Sequence, residues 1–190
     1  MTQSRFSNPT THKVINALLF QACWFSAILL GWPYAVLPLV LLIAHGLRFE
    51  PGQHAYVPLS LLVVGGLILD NLLIFSGHFV VPQPHPPSLG LTPLWLVCMW
   101  CAFALTLNSS LSWWQQFPKT FAIVCAIAGP MSYFAGTRFG VLEITATGFG
   151  LHAIAWLALG AAIVFFIPKG KLAQPVPRTT NWNRQICGVE

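Results

Sequence analysis

Charge is what this sequence has least of. Its 190 residues hold nine Lys and Arg and four Asp and Glu, so that 7% of the chain is charged, against about 25% in soluble domains. A fold with water on every side is therefore excluded. Disorder is excluded too, because unfolded chains owe their solubility to polar and charged residues. Here 56% of residues are hydrophobic, 14 Phe and 8 Trp among them, and the mean hydropathy is +0.70. Walker lysine, nucleophile elbow and zinc spacing are all missing. No two of His45, His54, His78, His85 and His152 stand in an i, i+4 relation. Glu50 is four residues before His54, but Pro51-Gly52 puts that pair in a loop and not on a helical face, and Glu50 and Glu143 fall in separate loops. No metal and no cofactor are expected, and any transport would be secondary or energised elsewhere.

The few charges are spaced. Residues 14–47, 51–69, 71–118, 120–137 and 144–168 contain no Asp, Glu, Lys or Arg, and a helix needs roughly 20 apolar residues to cross the hydrocarbon. The first run divides at Gly31-Trp32-Pro33. The longest divides at Val81–Pro93, where five prolines in thirteen residues forbid a continuous helix. The expected fold class is all-α: a polytopic membrane helix bundle with six transmembrane helices, at 14–31, 34–48, 56–79, 94–114, 119–139 and 148–168, and both termini cytoplasmic. The second span is short and contains Pro38. Were it re-entrant, five spans would remain and the C-terminus would change sides. Arg5 and Lys13 precede the first span as in a signal peptide, but its apolar run is too long and no small-x-small site follows.

Cytoplasmic flanks hold an excess of Lys and Arg. With six spans, Arg5, Lys13, Arg48, Lys119, Lys169, Lys171, Arg178 and Arg184 are all cytoplasmic, and only Arg138 is outside. The net charge of +5 is thus a topology signal, and no nucleic-acid partner is expected, since that would need a basic cluster on a folded surface. The chain divides into a cytoplasmic N-terminal segment 1–13, a transmembrane domain 14–168 and a cytoplasmic basic tail 169–190, which is either a disordered topogenic tail or suited to anionic lipid. Spans one to three do not echo spans four to six, so inverted repeats are not expected.

Polar groups inside the spans carry the chemistry, because an unpartnered one in hydrocarbon costs several kcal/mol. Asp70 lies well inside the third span, with Gly66 one turn before it and Gly77 two turns after. In the fifth span Gly129, Ser132, Tyr133, Gly136 and Gly140 fall on one helical face. Counting ~1.5 Å per residue puts Asp70 and Tyr133 both about 20 Å above the cytoplasmic side. Arg138 and His152 come within reach of them, making an outer tier of Asp70, Tyr133, Arg138 and His152. That tier is either a site that handles substrate, lipid or protons at Asp70, or a structural pairing of Asp70 with Arg138 or Tyr133. Lower down, Gln21 faces Asn108 at nearly equal height, with Ser109, Ser110 and Ser112 around it. A Gln21–Asn108 contact would serve as interhelical glue or as part of a second binding tier.

Cys98-Met99-Trp100-Cys101 is a C-x-x-C pair near the outer end of the fourth span, a placement like that of quinone-linked thiol oxidases. Such an enzyme needs a second pair, and Cys23, Cys125 and Cys187 are apart in sequence. Cys187 falls in the cytoplasmic tail, where thiols stay reduced. Buried cysteine also serves simply as a small apolar residue.

Three segments, QACWF at 21–25, TLNSSLSW at 106–113 and GPMSYFAG at 129–136, resemble the recurring motifs of a bacterial inner-membrane family labelled as a domain of unknown function, over roughly residues 14–168. The resemblance implies encoding near cyclopropane-fatty-acid-synthase-like methyltransferases and other lipid-modifying genes, with a membrane lipid and a lipid-modifying enzyme as partners. The expected function is the handling of a lipid or small lipophilic molecule in a polar cavity within the bundle, by transport or as an accessory to lipid modification, more in the manner of a binding protein than of an enzyme. The alternatives are a thiol–quinone oxidoreductase using Cys98 and Cys101, and a structural scaffold.

Overall fold

The computed structural model describes residues 9–49, 56–82 and 87–167. Arg5, Glu50, His54, His85, Cys187 and the basic tail 169–190 with Lys169, Lys171, Arg178 and Arg184 lie outside the described residues. Six α-helices follow in chain order: α1 Pro9–Leu30, α2 Trp32–Phe49, α3 Tyr56–Phe75, α4 Leu94–Thr106, α5 Pro118–Arg138 and α6 Ala146–Phe166. Four two-residue strands lie between them, β1 Phe79–Val80, β2 Ser88–Leu89, β3 Thr92–Pro93 and β4 Glu143–Ile144. The fold is all-α, and α1, α2, α5 and α6 are long and apolar enough to cross a membrane. The outer surface agrees: Leu37, Leu61 and Ile154 are exposed, and Phe165 is 81% exposed. Water would penalise such a surface, whereas lipid does not.

Helix ends follow local chemistry. α1 and α2 part at Gly31, whose φ of +90° suits a residue without Cβ. α2 runs unbroken through Pro38. α3 stops at Phe75, short of the expected 79, because Gly77 takes φ +75°. Gly77 therefore sits in a turn, not on the packing face with Asp70. Gly140, with φ +71°, likewise lies past the end of α5 rather than on its stripe.

The fourth span departs most from expectation. α4 has 13 residues, about 20 Å, and gives way after Thr106 to turns and a 3-10 helix at Ser112–Gln115. The cause is the small polar run after it. The Thr106 hydroxyl donates to Phe103 O at 2.6 Å, and such side chains compete with the helical ladder. The freed Leu107 carbonyl accepts instead from the Trp114 indole at 3.0 Å.

The helices form two groups. α1 packs along α2, α4 packs against α1, α2 and α3, and α5 packs along α6. α4 makes little backbone contact with α5 or α6, and the groups are joined through α3 with α6 and through a β1–β4 pair. At that pair, Thr145 N donates to His78 O at 3.1 Å, while the Thr145 hydroxyl caps α6 by accepting from Gly148 N at 3.0 Å. The proline-rich stretch ends in a β2–β3 hairpin pinned to α3 by Asn71, which accepts from Leu91 N at 2.6 Å and donates to Thr92 Oγ1 at 2.7 Å.

Between the groups the contact is aromatic. The Trp100 and Trp156 indoles stack with centroids 5.3 Å apart and planes 12° from parallel. Gly66 of α3 lies so close to Trp100, and Gly129 of α5 so close to Trp156, that a Cβ on either glycine would overlap the ring. One glycine–indole–indole–glycine stack thus crosses α3, α4, α6 and α5.

Candidate functional site

Asp70 is fully buried on α3. Its Oδ2 accepts from the Trp100 indole nitrogen of α4 at 2.6 Å, and the Tyr133 hydroxyl of α5 donates to Oδ1 at 2.9 Å and lies 3.2 Å from Oδ2. Burying a carboxyl in an apolar bundle is tolerable only with such partners. The Tyr133 ring in turn packs on His152 of α6, with centroids 4.0 Å apart, and meets Phe79 of β1 edge to face. His152 is fully buried, and neither of its ring nitrogens has a hydrogen-bond partner. The same holds for the Trp156 indole nitrogen, one turn further along α6.

Of the expected outer tier, Asp70, Tyr133 and His152 come together and Arg138 does not. Arg138 is exposed, its guanidinium 5.2 Å from the Phe134 ring centroid. The expected Asp70–Arg138 pairing is thus replaced by Trp100 and Tyr133. At the end of α5 a long cation does better by reaching outward over an aromatic face, where its charge keeps polar surroundings.

The lower tier is also rearranged. Gln21 is exposed and lines a cavity, Asn108 lies half-buried in the turn after α4, and Ser109 is buried. The amide that ties α1 to the end of α4 is Asn16. It is 1% exposed, its Oδ1 accepts from the Ser110 hydroxyl at 2.7 Å, and its Nδ2 donates to Leu105 O at 3.3 Å. Cys98 and Cys101 on α4, Cys23 on α1 and Cys125 on α5 are free thiols, and Cys23 donates to Ala35 O at 3.6 Å.

The gap between the helix groups is a cavity of about 510 Å³, within the range of small-molecule sites. Trp24, Trp95, Trp100, Trp113, Trp156 and Tyr133 contribute to its walls, and Gln21 and Ser132 are among its few polar groups. Gln21 of α1 and Val124, Ala128 and Met131 of α5, all in the middle of their helices, line the cavity and are exposed, so it is not sealed. Asp70 stands behind the wall that Trp100 and Tyr133 form.

Sequence reasoning passed over Trp100, Trp156 and Asn16. The signal was there for the tryptophans: an indole N–H inside a charge-free span needs an acceptor, and Asp70 is the strongest one nearby. In a C-x-x-C reading Trp100 counted only as a spacer.

Fold and cavity define a helical membrane protein with an apolar, aromatic-walled chamber and, among the described residues, one buried carboxyl behind its wall. The chain belongs to the family described as a protein of unknown function (DUF2878), which matches residues 13–167. The family likeness of the QACWF, TLNSSLSW and GPMSYFAG segments is thereby borne out. No curated protein and no solved structure matches the chain.

Proposed function

We propose that this protein binds a lipid chain or small lipophilic molecule in the cavity between α1, α4, α5 and α6, taking it directly from the bilayer. The observation that supports this reading is the combination of size, apolar aromatic walls and exposed lining residues in the middle of α1 and α5, where a mouth would face the bilayer. A water-soluble ligand would need an aqueous mouth and more polar groups to orient it. A membrane lipid is then the natural partner, and the binding serves transport or an accessory role beside a lipid-modifying enzyme. Native mass spectrometry of the gently solubilised protein should find a lipid-like molecule bound. Ala128→Trp, at the exposed rim, should remove it while leaving the fold intact. Equal occupancy in both proteins would place the lipid elsewhere, and an empty wild-type protein that also ignores added fluorescent fatty acid would end the proposal. A comparison of lipid extracts from deletion and wild-type cells tests the role in the cell.

The same proposal places the chain in a bacterial inner membrane with six crossings and both termini inside. α4 then completes its crossing through the turns and the 3-10 helix that follow it. Lys13, Arg48 and Lys119 lie at one end of the bundle and Arg138 at the other, which is the bias the orientation requires. In a protein freed of its native cysteines, a cysteine replacing Ser88 should react with an impermeant reagent added outside cells, and one replacing Asn183 should not. The reverse pattern would overturn the topology.

A further inference from the structure

Asp70, Tyr133 and His152 share features that binding in the cavity leaves unused. Each comes from a different helix, and Asp70 and His152 are fully buried. Among the described residues Asp70 forms no ion pair. Lys13, Arg48, Lys119 and Arg138 are the described side-chain cations other than histidine, and the one other described carboxylate, Glu143, is exposed on β4. The groups that face Asp70 are the Trp100 indole from α4 and the Tyr133 phenol from α5. Behind the phenol stand His152 from α6 and the apolar Phe79 from β1.

This arrangement satisfies a carboxyl in two states that differ by one proton. An ionised Asp70 accepts from Trp100 at one oxygen and from the Tyr133 hydroxyl at the other, as the distances of 2.6 and 2.9 Å allow. A protonated Asp70 donates its own hydrogen to the phenol oxygen across the same 2.9 Å. The phenol must then turn its hydrogen to another acceptor. His152 is the candidate, because its ring packs on the Tyr133 ring with centroids 4.0 Å apart and no hydrogen bond holds either nitrogen. A histidine placed there only for packing would leave two buried ring nitrogens unsatisfied without return, at a cost an apolar residue of similar size would avoid.

We infer that Asp70 is a proton-binding site, with Tyr133 as the reversible hydrogen-bond bridge and His152 as the acceptor that completes the protonated state. Uptake forms one O–H bond at an Asp70 oxygen with a proton from solution, and release breaks it. No electrons move. The consequence is mechanical, since hydrogen bonds to an ionised group are about twice as strong as those between neutral groups. The Asp70–Tyr133 bond joins the α1–α4 group to the α5–α6 group. A protonated site therefore holds the two walls of the cavity together less firmly than an ionised one. The proton site stands whether or not the cavity takes a lipid.

Asp70 is the sole aspartate in the chain, which allows a direct test. Protein synthesised in a cell-free system with a ¹³C-labelled aspartate carboxyl reports on that one group by NMR or infrared spectroscopy. In the wild-type protein the signal should pass between two positions as pH is varied over the range in which the protein stays folded. Tyr133→Phe removes the donor that favours the ionised state and should raise the proton affinity. His152→Phe removes the acceptor needed by the protonated state and should lower it. Shifts of opposite sign are expected from the shared proton and not from general loosening of the bundle. A wild-type signal that never moves would overturn the proposal, as would a midpoint unchanged in both variants. The wild-type titration needs no variant, so a substitution that failed to fold would not shield the inference from refutation.

Discussion

Gly66→Ala should destabilise the protein, whereas Gly65→Ala, one residue earlier, should stabilise it. Replacing glycine in a helix interior by alanine normally gains about 0.5–1 kcal/mol, because the unfolded chain loses freedom. Gly65 has open space where its Cβ would be, so it should show that gain undisturbed. At Gly66 the added methyl overlaps the fused atoms of the Trp100 indole. An indole held between Gly66 and Trp156 cannot swing away like the end of a lysine. Overpacking of this kind costs about 1–3 kcal/mol, and displacing Trp100 also disturbs its hydrogen bond to Asp70. Gly129→Ala should behave like Gly66→Ala, since it meets Trp156 in the same way, and Gly150→Ala, in open space, should behave like Gly65→Ala. Unfolding of the purified protein by heat or by denaturing detergent measures the order. If all four alanines had the same sign, the aromatic stack would not be the joint between the helix groups. In a Trp100→Phe background the cost of Gly66→Ala should shrink, because the two sites share one contact.

The second large effect is expected at Asp70, and its direction depends on what the replacement leaves behind. Asp70→Ala strands the buried Trp100 N–H, at about 1–3 kcal/mol for the unsatisfied group, and takes from the Tyr133 hydroxyl its acceptor at Asp70, leaving it only the turn toward His152. Asp70→Asn keeps an oxygen to accept from Trp100, and its amide can donate to the phenol oxygen once that group turns toward His152. The loss there should be the smaller of the two. A triple replacement, Asp70→Leu with Trp100→Phe and Tyr133→Phe, removes acceptor and donors together and should recover much of the stability lost by Asp70→Ala, since an apolar substitute for a whole polar network can be nearly neutral. Arg138→Gln should change little, because Arg138 is exposed on the Phe134 ring and away from the carboxyl. The abundance of each variant in the membrane and its resistance to unfolding check the series. An Arg138→Gln variant as damaged as Asp70→Ala would mean that the cation turns inward after all.

Membrane character and helical class were legible in the spacing of charges, because hydrocarbon tolerates neither ions nor unpaired backbone. Charge-free runs divided by Gly31-Trp32-Pro33 and by the prolines of 81–93 placed the six helices within a few residues of α1 to α6 at most ends. The early end of α4 was harder to see. Its cause is Thr106-Leu-Asn-Ser-Ser, whose hydroxyl and amide side chains look tolerable in a helix until they bond to its backbone. That Asp70 needed a buried partner also followed from the sequence, since hydrocarbon leaves a carboxyl no other choice.

Which partner it took was decided only by tertiary structure. Counting 1.5 Å per residue gives the height of a side chain and says nothing of the direction in which it points. In a soluble helix the apolar stripe supplies that direction. Here both the lipid and the interior are apolar, so the helices are hydrophobic all round and the inward face goes unmarked. Height alone favoured Gln21 over Asn16 and left Arg138 as open to Asp70 as Tyr133. The choice of Asn16, Trp100 and Tyr133 came from how helices pack when glycines let two indoles slide between them, a fit of shapes that a linear pattern of apolar residues does not encode.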